Sequence, residues 1–219
     1  MGVFDIIGPV MIGPSSSHTA GAARLGKMAR TILGEVPVAA TIYLYGSFAR
    51  TYRGHGTDKA LVAGLLGFST EDPRIKDSLA LAEQANLSVT IKTGDRGECH
   101  PNTAEFHLRG ASGKTAKVVG ASIGGGKIAI TRINDYDVEF AGDYYTLITI
   151  HQDKPGVIAT ITQILAQQNV NIAFMRVSRK QRGAQALMIL ETDQSITQEV
   201  LGAMNALSAI ESALLVQPL

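Results

Sequence analysis

Tryptophan is absent, cysteine occurs once, and aromatic residues make up 5% of the 219 positions. Each scarcity removes a class of function. The lone Cys99 forms no internal disulfide, no thiolate zinc cage and no four-thiolate iron–sulfur cluster, so any such cofactor belongs to another chain. Few aromatic platforms leave nucleic-acid bases little to stack on. Twenty Lys and Arg against nineteen Asp and Glu give a net charge of +1 with no basic block, which argues against nucleic acid and anionic membranes as partners. No apolar run is long enough to span a bilayer, and no basic stretch leads an apolar one at the N-terminus; a cytoplasmic protein is expected. A Gly-x-Ser-x-Gly elbow is missing, as are carboxylates and histidines at a helical metal spacing.

What is present suffices for an ordinary globular core, since 45% of the residues are hydrophobic. The first half mixes strands and helices. Val38 to Tyr45 reads as a strand, and Thr57 to Leu66 as a helix capped by Thr57 or Asp58 and stopped by Gly67. Asp72-Pro73 opens another helix through about Ala85. Leu87 to Lys92, Thr103 to Arg109, Thr115 to Ala121 and Lys127 to Ile133 read as strands, with a Gly110-Ala111-Ser112-Gly113 turn between the middle two. This is an α/β domain over residues 1–135. The acidic passage from Asp135 to Asp143 has little pattern and is expected to be a linker.

From residue 144 to 219 the order is strand, helix, strand, strand, helix, strand, with Val157, Ile161, Ile164 and Leu165 marking the first helix's apolar face. That βαββαβ order implies a small antiparallel, ferredoxin-like sheet with helices on one face. Such a unit has little core of its own, so edge-to-edge pairing with a second copy is expected.

Several polar segments are candidates for chemistry. Gly13-Pro14-Ser15-Ser16-Ser17-His18-Thr19-Ala20-Gly21 places hydroxyls and an imidazole just before an Ala-rich helix. Unpaired N–H groups at a helix start attract a carboxylate or phosphate, although the same run also suits a simple capped turn. Gly54-His55-Gly56 precedes the Thr57 helix, where a positive helix end disfavours imidazolium; an exposed, uncharged ring able to accept a proton is expected. A plain solvent turn is the alternative. Cys99-His100-Pro101-Asn102-Thr103 sets a ring and an amide between strands, and Ser122-Ile123-Gly124-Gly125-Gly126 offers a possible anion nest. His107, alternating with Phe106 and Leu108, is read as solvent-facing.

Taken together, Phe4-Asp5-Ile6-Ile7-Gly8-Pro9, the Ser15-to-Thr19 run, Leu44-Tyr45-Gly46-Ser47, Gly54-His55-Gly56-Thr57-Asp58-Lys59-Ala60 and His100-Pro101-Asn102-Thr103 resemble the beta subunit of bacterial iron–sulfur L-serine dehydratase. The resemblance covers the whole chain. It implies an allosteric substrate-binding type of domain followed by an ACT domain. It also implies a separate alpha subunit carrying a [4Fe–4S] cluster, whose iron acts as a Lewis acid on the serine hydroxyl while a base removes the α-proton. By that resemblance the base is His55, and L-serine is held by Ser15, Ser16, Ser17, His18, Thr19, His100, Asn102 and Ser122. His18 either positions the carboxylate or braces the loop. The chain itself binds no metal in this reading.

In the second domain, His151-Gln152-Asp153-Lys154-Pro155-Gly156 and the later Asn171 resemble an ACT effector loop. His151, Asp153, Gly156 and Asn171 are the implied effector residues, with Asn171 acting across a dimer interface. Asp153 stands where serine-binding members have Asn, so its charge opposes a ligand carboxylate. An ACT domain that only dimerises is the alternative. For the whole chain, the competing reading is a purely regulatory sensor of amino or hydroxy acids with no catalytic residue.

Overall fold

The computed structural model describes residues 10–219, so the Phe4-to-Pro9 motif lies outside the described residues. The chain divides into two compact units, residues 1–135 and 136–219.

In the first unit a π-helical turn, Ser16–Gly21, runs directly into α1 (Ala22–Leu33). The strand β1 (Pro37–Leu44) follows, then α2 (Gly46–His55) and α3 (Thr57–Leu66). A 3-10 turn at Pro73–Asp77 leads into α4 (Ser78–Gln84) and β2 (Ser88–Thr93). The unit closes with β3 (Thr103–Gly110), β4 (Thr115–Gly124) and β5 (Lys127–Ile133). Its strands are ordered β2-β1-β3-β4-β5, with β1 and β2 parallel and the other pairs antiparallel.

Alternation along the strands sends one set of side chains under the helices. Ile42, Phe106 and Val118 stand side by side across β1, β3 and β4 and are fully buried. With Leu25, Met28, Leu61 and Leu65 from α1 and α3 they form the core, each worth about 1.5–3 kcal/mol of burial. The two helices touch at bare backbone. A methyl group on Gly64 would lie 2.1 Å from the Ala23 carbonyl oxygen, and one on Gly26 would lie 2.1 Å from that of Leu61.

The second unit begins with β6 (Tyr136–Phe140), a correction to the linker expected there. Val138 and Phe140 are buried, Ser178 donates to the Asp137 carbonyl at 2.6 Å, and Arg176 pairs with Glu139 at 2.8 Å. Acidic residues mask a strand whose alternate positions are apolar.

After it come β7 (Tyr145–Gln152), α5 (Val157–Gln167), β8 (Ile172–Arg179), β9 (Gln185–Thr192), α6 (Gln198–Asn205) and β10 (Ile210–Val216). The sheet order β10-β7-β9-β8, all antiparallel, is the ferredoxin-like arrangement expected from βαββαβ. Leu147, Ile161, Leu165, Met188, Leu190 and Met204 form its core. No helix among the described residues is long and apolar enough to cross a membrane.

Candidate functional site

Three consecutive serines do not simply cap α1. Ser15, extended at φ −147°, accepts a hydrogen bond from the His18 amide at 3.2 Å, and the chain then takes a π turn before settling into α-helical geometry. Such turns re-aim side chains and recur at functional sites. Here the turn directs His18 toward α2. Its ring lies 5.2 Å from Phe48 and 4.8 Å from His55 between centroids, edge to face in both cases. Ser15 Oγ approaches His18 Nδ1 and Ser47 Oγ approaches Nε2, each at 3.4 Å. Partial burial, and then the neighbouring His55, lower the pKa of His18.

His55 is exposed, as expected, but it does not sit in an isolated turn. It is the last residue of α2, and Gly56, at φ +67°, ends α2 and begins α3. A left-handed residue is needed to pass between helices in a single step, and glycine takes that conformation without strain. Helix ends of opposite polarity therefore meet at His55, rather than the positive one alone. Neither Thr57 nor Asp58 caps α3 as expected; the N-cap is Gly56, with no side-chain hydrogen bond.

Backbone contacts tie His100, Asn102 and Ser122 to one another and to the start of α2, next to Ser47, which touches His18. The Ser47 and Phe48 amides donate to the Pro101 carbonyl at 2.6 and 3.3 Å, seating the His100-to-Asn102 segment on the start of α2. The Asn102 amide donates to His100 Nδ1 at 3.2 Å. Asn102 and Ser122 are joined by the Ser122 amide donating to the Asn102 carbonyl at 3.0 Å and by Asn102 Nδ2 donating back at 3.4 Å. Ser122 belongs to β4, not to a glycine loop, and its hydroxyl fills the space beside the bare Cα of Gly21. The carbonyl of Gly126 in that loop accepts from Arg24 at 3.0 Å.

Four buried side-chain atoms among the described residues lack any hydrogen-bond partner: Thr19 Oγ1, Thr57 Oγ1, Asn102 Oδ1 and Ser122 Oγ. All belong to the segments that meet here. An unmet buried polar group costs about 1–3 kcal/mol, so four in these segments set them apart from the rest of the unit.

Ser47, Phe48 and Thr57 were not among the expected site residues, although Ser47 and Thr57 lie in the motifs that carry the family resemblance. A Gly-Ser pair directly after a strand was the available signal for Ser47. Behind α2, Glu105 takes hydrogen bonds from the Tyr45 hydroxyl at 3.1 Å and His107 Nε2 at 2.7 Å, and pairs with Arg96. Burial pushes the Glu105 carboxyl up, but these donors outweigh it and leave it below its ordinary value. Tyr45 is the residue from which α2 starts, so the network anchors the helix that ends in His55.

In the second unit His151 is buried, and burial lowers its pKa while Asp153 opposes the shift. Asp153 is not free to meet a ligand: its carboxylate accepts from Arg179 at 2.8 Å and from the Gly183 amide at 3.0 Å. Gly156 begins α5 at φ +92°. Asn171 donates to Asp193 at 2.7 Å and adjoins the Tyr145 end of the sheet, because Tyr145 and Ile172 both stand beside Thr192. His151 is six residues along β7, about 20 Å away at ~3.3 Å per residue. One chain does not bring Asn171 and His151 together.

An unfolded histidine takes up a proton near pH 6.5, whereas buried His151 resists it, so the unfolded state binds more protons below that pH. Stability is therefore expected to fall as pH drops from about 7 toward 5. Thermal melts of His151→Gln should show a flatter pH dependence than the parent over that window; an unchanged slope would remove His151 as its source.

Comparisons with known proteins agree on the first unit's affinity. A family model described as serine dehydratase beta chain matches residues 2–98. A Bacillus subtilis protein described as probable L-serine dehydratase, beta chain, is 45% identical over 208 residues, covering 95% of this chain and 94% of that protein. The chain belongs to the serine dehydratase beta-chain family. A second family member, the L-serine dehydratase beta chain of Peptoniphilus asaccharolyticus, is 37% identical over 91% of this chain and 90% of its own length. The ACT domain model matches residues 145–209, which places an ACT domain in the second unit. A D-3-phosphoglycerate dehydrogenase from Synechocystis is 28% identical over 88% of this chain, but only 35% of that longer protein is covered.

The donor set of this chain does not fit a [4Fe–4S] cluster. Cys99 is its single thiol, and no group of three or more His, Cys, Asp or Glu among the described residues could hold a metal ion.

Proposed function

We propose that this chain supplies the proton acceptor and the substrate cradle of a two-chain L-serine dehydratase, which converts L-serine to pyruvate and ammonia. The observation that carries the reading is the His18–His55 edge-to-face pair, bordered by segments holding four unmet buried polar groups. His55, exposed at the helix junction, takes the α-proton. The hydroxyls of Ser15, Ser16, Ser17 and Thr19 receive the carboxylate at the start of the π turn, since the opening of a helix favours an anion. Asn102 Oδ1 and Ser122 Oγ accept from the ammonium group, and His100 borders the same segment. His18, held between Ser15 and Ser47, keeps the carboxylate and His55 in register.

Loss of the α-proton and the hydroxyl, together one water, leaves 2-aminoacrylate. Its imine tautomer takes up water to give pyruvate and ammonia. Departure of the hydroxyl is assigned to a partner alpha chain carrying a [4Fe–4S] cluster, since this chain has no donors for one. The first unit is proposed to be an allosteric substrate-binding type of domain turned to catalysis. The ACT unit is proposed to self-associate along its edge strand β8, whose Phe174, Met175 and Val177 are exposed. Pairing there would be one way to supply an Asn171 to the His151 loop of another copy.

Reconstitution tests the proposal. The purified chain should show no serine deamination alone, and activity should appear when the cluster-bearing alpha chain is added anaerobically. Full activity from the alpha chain without this one would overturn it.

A further inference from the structure

The first unit carries a second concavity, on the sheet face turned away from α1. Two rungs cross β1, β3 and β4 there: Ala39 beside Arg109 beside Thr115, and Thr41 beside His107 beside Lys117. The short side chains of Ala39 and Thr41 leave a trough of ≈ 540 Å³ between longer neighbours, bounded by Asn134 and Asp135. His107 is tethered along the strand by its 2.7 Å contact with Glu105. The Asn134 side chain accepts from the Lys117 amide at 2.9 Å, which fixes the far wall.

The cations are the informative part. Arg109 and Lys117 are exposed, and neither charged group has a hydrogen-bond or ion-pair partner among the described residues. They occupy diagonal positions on adjacent strands, at a Cα separation of about 7–8 Å, which long side chains bridge easily. Asp135, the one carboxylate on the rim, is engaged in an interaction of its own. Like charges set this close repel unless an anion lies between them. A guanidinium fork and an ammonium point charge together suit a ligand with two negative charges.

We propose that this trough binds a small dianion, either a phosphorylated acid or a dicarboxylate, gripped by Arg109 and Lys117 with the hydroxyls of Thr41 and Thr115 completing the lining. The site is distinct from the histidine pair and goes beyond the dehydratase reading.

Calorimetry on the full chain at low ionic strength, with inorganic phosphate, malonate and acetate as probes, tests it. Phosphate or malonate should bind at least about tenfold more tightly than the monoanion acetate. The stronger of those two arms tells a phosphorylated ligand from a dicarboxylic one. Arg109→Gln and Lys117→Gln should each weaken dianion binding about tenfold or more, and a Glu83→Gln control, exposed on α4 and outside the trough lining, should leave it unchanged. Melting temperatures of the variants, measured alongside, separate lost binding from lost folding. Absence of dianion binding, equal binding of acetate, or full affinity in a folded double variant would each overturn the proposal. None of these results would touch the serine reading, which is tested by reconstitution.

Discussion

Changing His55 to alanine is expected to lower serine deamination by the assembled two-chain enzyme about 10²–10⁴-fold, the usual contribution of a positioned proton acceptor. The side chain is exposed and ends a helix, so stability should shift by no more than about 0.5 kcal/mol. The loss should fall on kcat, with KM little changed, because the carboxylate and ammonium contacts belong to other residues. Steady-state kinetics on the complex, with a melting curve on the same preparation, separates chemistry from folding. A folded variant with full turnover would take His55 out of the reaction.

The second large effect is on stability. A Gly64→Ala substitution in an ordinary helix interior would be mildly favourable, by roughly 0.5–1 kcal/mol. Here the new methyl would meet the Ala23 carbonyl oxygen at 2.1 Å and the Lys27 nitrogen at 2.6 Å, both backbone atoms of α1. Backbone cannot rotate away as a side chain can, so the helices must part, at about 1–3 kcal/mol or more. The melting temperature should fall by about 2–12 °C. Activity should fall with it, since α1 continues the turn bearing His18 and α3 continues the junction bearing His55. Gly202→Ala in α6, where nothing lies within 4 Å, is the control and should be neutral or slightly stabilising. A Gly64→Ala protein melting at or above the parent would show that the helix contact tolerates expansion.

Regular elements could be read from the chain wherever local pattern and tertiary setting agreed. The helix Thr57–Leu66 and the strand Lys127–Ile133 fall where turn residues and apolar runs place them. Elements were missed where the two disagreed. α2 contains Gly46 and Gly54 and only one fully buried side chain, Phe48, so no apolar stripe announces it. Its stability comes from contacts distant in sequence: the Pro101 carbonyl at its start and the Glu105 network beneath Tyr45. Missing α2 also misplaced His55, which sits at a helix junction instead of a loop. The candidate site was legible as a set of residues, because Ser15, His18, His55, Asn102 and Ser122 lie in segments with marked composition. Its geometry was not, because the π turn and the Ser47 contact to His18 depend on which segments meet in space. In the second unit the strand order was legible, but the Arg179 clasp on Asp153 was not, since hairpin pairing alone brings those residues together.

The π turn at Ser16–Gly21 has a consequence for the length of the chain. It accommodates a residue that an α-helix would not, so shortening the serine run by one would let the segment relax into uniform helix. Everything upstream would then swing by about 100° around the axis and advance by ~1.5 Å. The Ser15 hydroxyl would no longer meet the His18 ring, whatever residue types remained. The spacing between Gly13 and Gly21 is therefore a measured length, set by where the hydroxyls must point, and it should be less forgiving of deletion than of exchange.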